Sequence, residues 1–286
     1  MKHFFIFAPT LFLLMFSCHV EQDQGQGRDL QRTFYAAIAE DVTKVYADES
    51  LKLLWNKDDC ITLFEQSTYN YQYKFLGEDG DNYGGFEKIP PSGFISGNAL
   101  TYYYAVYPYV KGNKMNNAGN TFTLTLPAEQ PYREKSFGIG ANTMVAASAT
   151  DFFQFKNVGG YLAIRLYGEN VSVSRITLQG NNHEKIAGKA NVSINVQAIP
   201  AIIPEVTMDA SATESISVVC ASPVLLGTSA TDYTEFWFVV PPVTFSGGFT
   251  ITVEDDNGNT FVKSTTQSFT IKRSIKDWMA PLNVVI

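Results

Sequence analysis

The chain has 286 residues and a formal net charge of −7 with no basic stripe, which argues against nucleic acid or an anionic membrane surface as a partner. With 21 Phe, 15 Tyr and 21 Gly but only 17% charged residues, strand formers and turn formers are abundant together, the composition of an all-β protein. His183 is the only histidine beyond position 32 and no two cysteines are close, so neither a metal site nor a cofactor is expected.

Lys2 and His3 open the chain, a nearly uncharged apolar run fills 4–16, and Ser17 and Cys18 follow. That layout predicts a signal peptide over 1–17, its apolar run of 13 residues being too short to span a bilayer. A cysteine after a small residue at this place resembles a bacterial lipobox, in which Cys18 carries acyl chains such as palmitate and becomes the first mature residue. Phe16 is larger than the usual residue two before that cysteine, so ordinary secretory cleavage nearby is the other reading. Residues 18–32 are polar and rich in Gly and Gln, which predicts a flexible tether between lipid and folded protein.

From 33 onward the dominant pattern is alternation. Tyr69, Tyr71, Tyr73 and Phe75 alternate with polar residues, as do Phe122, Leu124 and Leu126, and then Val192, Ile194 and Val196. A period of two marks half-buried strands. Further strands are expected at 33–39, 51–55, 61–64, 100–107, 161–167, 171–178, 216–220, 235–240, 249–254 and 269–272. Turn signals separate them at 77–82, 111–114 and 256–259, the last reading as a hairpin. Many short strands without intervening helices argue for two tandem antiparallel β-sandwich domains of about seven strands each. The boundary is placed near 149–151, after the softer stretch 138–148, giving an N-terminal domain at 33–150 and a C-terminal domain at 151–286.

Smaller constellations take plain readings. Cys60 and Cys220 lie in apolar runs and read as two buried thiols, with a disulfide as the alternative in an oxidising compartment. Asp79, Asp81 and Asn82 lack the later bidentate acid of a calcium loop and read as an acidic turn. His183 beside Glu184 has no motif-embedded nucleophile near it and reads as a loop histidine, so no enzyme is expected. The cluster Tyr102, Tyr103, Tyr104, Tyr107 and Tyr109 offers rings for stacking on sugars, or a strand that buries one face.

Several strings resemble, in order along nearly the whole mature chain, the fimbrillin-like lipoproteins of Bacteroidetes that build type V pili. They are TFYAAIAEDVTK (33–44), LLWNKDDCITLF (53–64), YAVYPY (104–109), LPAEQ (126–130), GANTMVA (140–146), FKNVGGYL (155–162), ITLQGN (176–181) with EKIAG (184–188), and VPP (240–242) with GF (248–249). The resemblance implies transthyretin-like or immunoglobulin-like sandwiches, exported as a lipoprotein to the outer membrane and used in surface fimbriae. It also implies assembly by strand donation, in which a protease removes the first strand of one subunit and a terminal strand of the next fills the groove.

At the C-terminus Trp278, Ala280, Leu282, Val284 and Ile286 are apolar at every second position, a pattern that suits a donor strand; the plainer reading is the last strand of the second domain. Pro281 interrupts the ladder there. Maturation of the family after arginine points to Arg28 or Arg32, and either cut would release the lipid but leave 33–39 attached. The expected function is therefore a structural or adhesive pilus subunit whose partners are other subunits or a host or bacterial surface ligand. The alternative is a surface glycan-binding lipoprotein acting as a monomer.

Overall fold

A computed structural model describes residues 33–38, 54–65, 69–89, 101–116, 120–199 and 201–286. The expected leader, Cys18, Arg28 and Arg32 lie outside the described residues. Among the described residues the regular structure is all strand, apart from one short 3-10 turn at Val196–Ala198.

The first sheet is a closed seven-strand barrel of β1 (Phe34–Ile38), β2 (Cys60–Phe64), β3 (Tyr71–Phe75), β4 (Tyr83–Lys88), β5 (Tyr103–Tyr107), β10 (Met144–Ser148) and β11 (Phe152–Asn157). β1 closes it, running parallel to β11 on one side and antiparallel to β4 on the other. Where the strand pattern led to an open sandwich, this sheet curls until its edges meet, because β1 has a partner on both sides. Inside, Trp55 packs edge-on against Phe86, Tyr107 and Phe155 at centroid distances of 5.1, 5.4 and 5.4 Å. Such pairs contribute about 0.5–1.5 kcal/mol each beyond area burial.

A second sheet, in the order β15 (Glu205–Met208), β14 (Gly188–Ser193), β7 (Thr121–Leu126) and β6 (Lys114–Met115), covers one side of the barrel. The barrel wall there is consequently buried on both faces. On β10, Met144 and Ala146 face the barrel core while Val145 and Ala147 face the second sheet. The stretch 138–148, expected to be a soft lead-in to the boundary, thus contains a central strand. A division after 150 falls between β10 and β11, which are hydrogen-bonded neighbours in the barrel.

The remaining strands form two facing sheets. One runs β20 (Thr260–Ser264), β19 (Phe249–Asp255), β13 (Ser172–Gly180), β16 (Ser215–Leu225), β8 (Glu129–Arg133) and β9 (Ser136–Phe137). The other runs β17 (Thr234–Val240), β12 (Gly160–Tyr167) and β22 (Lys276–Trp278), with β23 (Leu282–Asn283) also on β12. Leu162, Ile164, Phe236 and Phe238 from the second meet Ile176, Leu178, Ile216 and Ile251 from the first in one core. A two-stranded ribbon of β18 (Val243–Phe245) and β21 (Phe269–Ile271) flanks that core.

Turn chemistry behaves as the sequence predicts. In the β19–β20 hairpin the Asp255 carboxylate accepts from the backbone N–H groups of Asn257 and Asn259 at 2.9 and 2.8 Å, and Gly258 takes the positive φ of 81° that the turn requires. The expected strand 51–55 is not found in its described part, since Leu54 and Trp55 have no ladder partners. Trp55 instead bonds the 77–82 turn, donating to Asp81 and accepting from Gly80 through its backbone, which holds its ring in the barrel.

Candidate assembly site at the chain termini

The first described strand is an integral part of the barrel wall. Phe34 and Ala36 of β1 are fully buried among the barrel aromatics, whereas Tyr35 points outward. Arg32 precedes Phe34 by two residues in sequence, so a cut there would leave every ladder bond of β1 in place.

At the other end the C-terminal segment pairs in parallel with β12 in two short pieces. Tyr161, Leu162 and Ala163 face Lys276, Asp277 and Trp278, and Leu166 and Tyr167 face Leu282 and Asn283. Pro281 lies in the gap between these pieces, where its missing N–H interrupts no ladder bond. The proline also changes which side chains face inward. Before it Met279 packs on the core while Trp278 and Ala280 are exposed; after it Leu282 packs and Val284 is 1% exposed. Ile286 is exposed again, so in this docked state Trp278, Ala280, Leu282, Val284 and Ile286 do not share one face.

A charged knot fixes the segment. Glu235 on β17 accepts from Arg165 at 2.8 Å, from the Trp237 indole N–H at 2.9 Å and from Lys276 at 3.3 Å. Burial works to raise the Glu235 pKa, but these donors and the Lys276 charge outweigh it and hold the carboxyl below its usual range. Lys276 goes below its own usual range, because burial and the neighbouring Arg165 charge count for more than Glu235 restores. Arg165 and Lys276 also lie over the rings of Trp278 and Trp237, at 5.2 and 3.6 Å from the centroids.

The other singled-out residues have structural surroundings. Tyr104 and Tyr107 are buried and Tyr102, Tyr103 and Tyr109 half-buried, so this cluster does not present a row of rings. An exposed row does exist elsewhere, and the sequence reading missed it. Tyr35, Tyr83 and Phe152 line the outer face of the barrel, with Tyr35 and Tyr83 nearly parallel at 6.0 Å and Phe152 6.2 Å beyond. Its only local signal is the outward phase of β1 and β4, and joining those strands needs the long-range register.

His183 is exposed and lies 2.7 Å from Glu214 instead of pairing with Glu184. Asp81 accepts from the Glu78 backbone within its own turn, and Asp79 accepts from the Lys57 backbone, tying that turn to the segment after Trp55. Cys60 and Cys220 are free and half-buried. Among the described residues no cluster of three His, Cys, Asp or Glu side chains is arranged to hold a metal, and no helix is long and apolar enough to cross a membrane.

Comparison with solved structures speaks to the fold. A candidate cell adhesion protein from Bacteroides ovatus superposes with a TM-score of 0.50 at 13% identity, covering 89% of this chain and 91% of that one. The chain shares the fold of that protein. The fimbrillin-like resemblance read from the sequence therefore holds at the level of the fold. A candidate cell adhesion protein from Bacteroides uniformis matches with a TM-score of 0.47 at 15% identity over 91% of this chain and 94% of that one. A fimbrial protein from Bacteroides ovatus matches with a TM-score of 0.30 at 11% identity over 89% of this chain and 50% of that one. No protein-family description and no curated protein sequence matches the chain.

Proposed function

We propose that this chain is a surface-displayed structural or adhesive subunit of a pilus, exported as a lipoprotein on Cys18 and joined to other subunits by strand exchange. The observation that carries the reading is the C-terminal segment. It adds to the sheet edge at β12 by two short parallel ladders split at Pro281, with one charged knot as its main polar tie. A segment held this way exchanges between chains at little cost in hydrogen bonds, since the same main-chain groups on β12 accept a second copy's segment equally well. Trimming at Arg28 or Arg32 then serves to release the lipid. It does not by itself vacate a groove, because β1 lies beyond both arginines.

The test is electron microscopy of cells carrying a labelled chain, compared with cells whose chain ends before Lys276. Label along or at the ends of filaments is expected in the first and its loss in the second. Label on the envelope with none on any filament would sink the reading.

A further inference from the structure

The ladders that hold the C-terminal segment on β12 are made by main-chain groups, which every extended strand carries. Its core-facing side chains, Met279, Leu282 and Val284, ask only for apolar bulk, and apolar sites tolerate exchange among side chains of like size. Lys276 makes a more discriminating contact. Its ammonium lies 3.6 Å from the centroid of the Trp237 ring and 3.3 Å from the Glu235 carboxylate, both residues of β17. We infer that Glu235 and Trp237 form a socket that selects by charge the strand occupying β12, taking a segment with a cation at the place of Lys276, as a second copy of this chain supplies, and rejecting one with an acid there. The inference rests on the strand exchange proposed above and names what that exchange recognises.

The acceptor sheet builds the socket without help from the segment. Arg165 of β12 donates to one Glu235 oxygen at 2.8 Å, and the Trp237 indole N–H donates to the other at 2.9 Å. The Arg165 guanidinium is itself carried over the Tyr233 ring, 4.9 Å from its centroid. The carboxylate is therefore aimed at the position of Lys276 by contacts that remain when the segment leaves, which is preorganisation of a recognition site.

Shelter makes the charge of the incoming residue count. With the segment in place the Lys276 and Glu235 side chains are 16% and 13% exposed, and Trp237 is 3% exposed. Water and salt screen a pair so enclosed far less than a pair at the surface. Burial and the Arg165 charge also work against the ammonium, so the socket discriminates mostly through what it excludes. An acid at position 276 would meet the Glu235 carboxylate and the negative face of the Trp237 ring, with Arg165 already engaged by Glu235.

The test uses two full chains, one with Glu235→Lys and one with Lys276→Glu. In either variant alone the socket and the segment carry like charges, whether the segment stays at home or docks on another copy. In an equimolar mixture each segment finds the opposite charge only on the other variant, so reciprocal exchange relieves both mismatches at once. After incubation a few degrees below the melting midpoint, sedimentation velocity should show about tenfold or more dimer in the mixture than in either variant alone. The chain carrying both changes is the folding control, expected to melt higher than either single variant and to form no more dimer than the wild type.

Dimer in equal amount in the mixture and in each variant alone would overturn the inference and leave strand exchange standing. No dimer in the mixture, with the doubly changed chain recovering its midpoint, would show that the socket reads charge only within one chain, and would overturn strand exchange through this segment together with the inference. A doubly changed chain that melts no higher than the single variants would also overturn the inference, since the two charges then do not read each other.

Discussion

Lys276 lies 3.3 Å from Glu235, and through that contact the C-terminal strand β22 is tied across β12 to β17. Glu235 is the better satisfied of the two, having Arg165 and the Trp237 indole as further donors. Acid is therefore expected to loosen this end of the molecule. The folded pKa of Glu235 is depressed, so its contribution is complete above the unfolded value of about 4.5 and is lost as pH falls through the lower folded value. Lys276 is depressed as well, but its burial cost is relieved only as pH rises into the alkaline range, so it leaves the acid limb unchanged. Hydrogen exchange, corrected for intrinsic rates, checks this at the Met279 and Val284 amides, which donate to Ala163 and Tyr167. Their protection should fall between pH 5 and about 3. Glu235→Gln should bring the same loosening to neutral pH, at about 2–3 kcal/mol, between an exposed pair and a fully buried one.

The change of phase at Pro281 separates two apolar residues of the same alternating pattern, Trp278 and Val284. Val284→Ala removes a side chain 1% exposed in the sandwich core and should cost about 1–3 kcal/mol, whereas Trp278, 58% exposed, should cost under about 1 kcal/mol as Trp278→Ala. Urea unfolding of the two variants reads the difference. Equal losses would mean that the segment docks with one continuous face, as its alternation alone suggests.

Burial pushes the Cys220 thiol up to about 11. At pH 8 only about one molecule in a thousand then carries the reactive thiolate, so alkylation should be on the order of a hundredfold slower than for an ordinary exposed thiol. Iodoacetamide labelling of a Cys60→Ser chain, followed by mass spectrometry, measures it.

The strands most legible in the sequence are those with one wet face. Tyr71, Tyr73 and Phe75 on β3 and Phe122, Leu124 and Leu126 on β7 alternate because every second residue meets solvent or a polar neighbour. β10 is hidden for the opposite reason: all five of its residues are buried between two cores, so alternation has nothing to report. The closing of the barrel is equally silent, since β1 and β11 pair in parallel across more than a hundred residues. The cavity at the barrel mouth depends on the same long-range placement, bringing Trp55 and Asp59 next to Ser136 and Phe137. Only the Gly-rich turn at 77–82, which supplies Asp79, is local enough to be read directly.

The strongest prediction for assembly concerns β1, because it alone bridges β4 and β11. Phe34→Ala should cost about 3–5 kcal/mol, while Tyr35→Ala, on the outer face, should cost about 1 kcal/mol or less. A chain beginning at Thr33 retains both β1 ladders and should melt within a few degrees of the full chain. A chain beginning at 39 loses the buried Phe34 and Ala36 and opens the seam, so its melting midpoint should fall by about 10 °C or more. The exposed edges of β4 and β11 would then accept an added peptide of sequence 33–38, restoring much of the loss by main-chain pairing in trans. Calorimetry with and without that peptide decides the matter: an unchanged midpoint in the shortened chain would show that β1 does not hold the barrel closed, and strand exchange would then have to rest on the C-terminal segment alone.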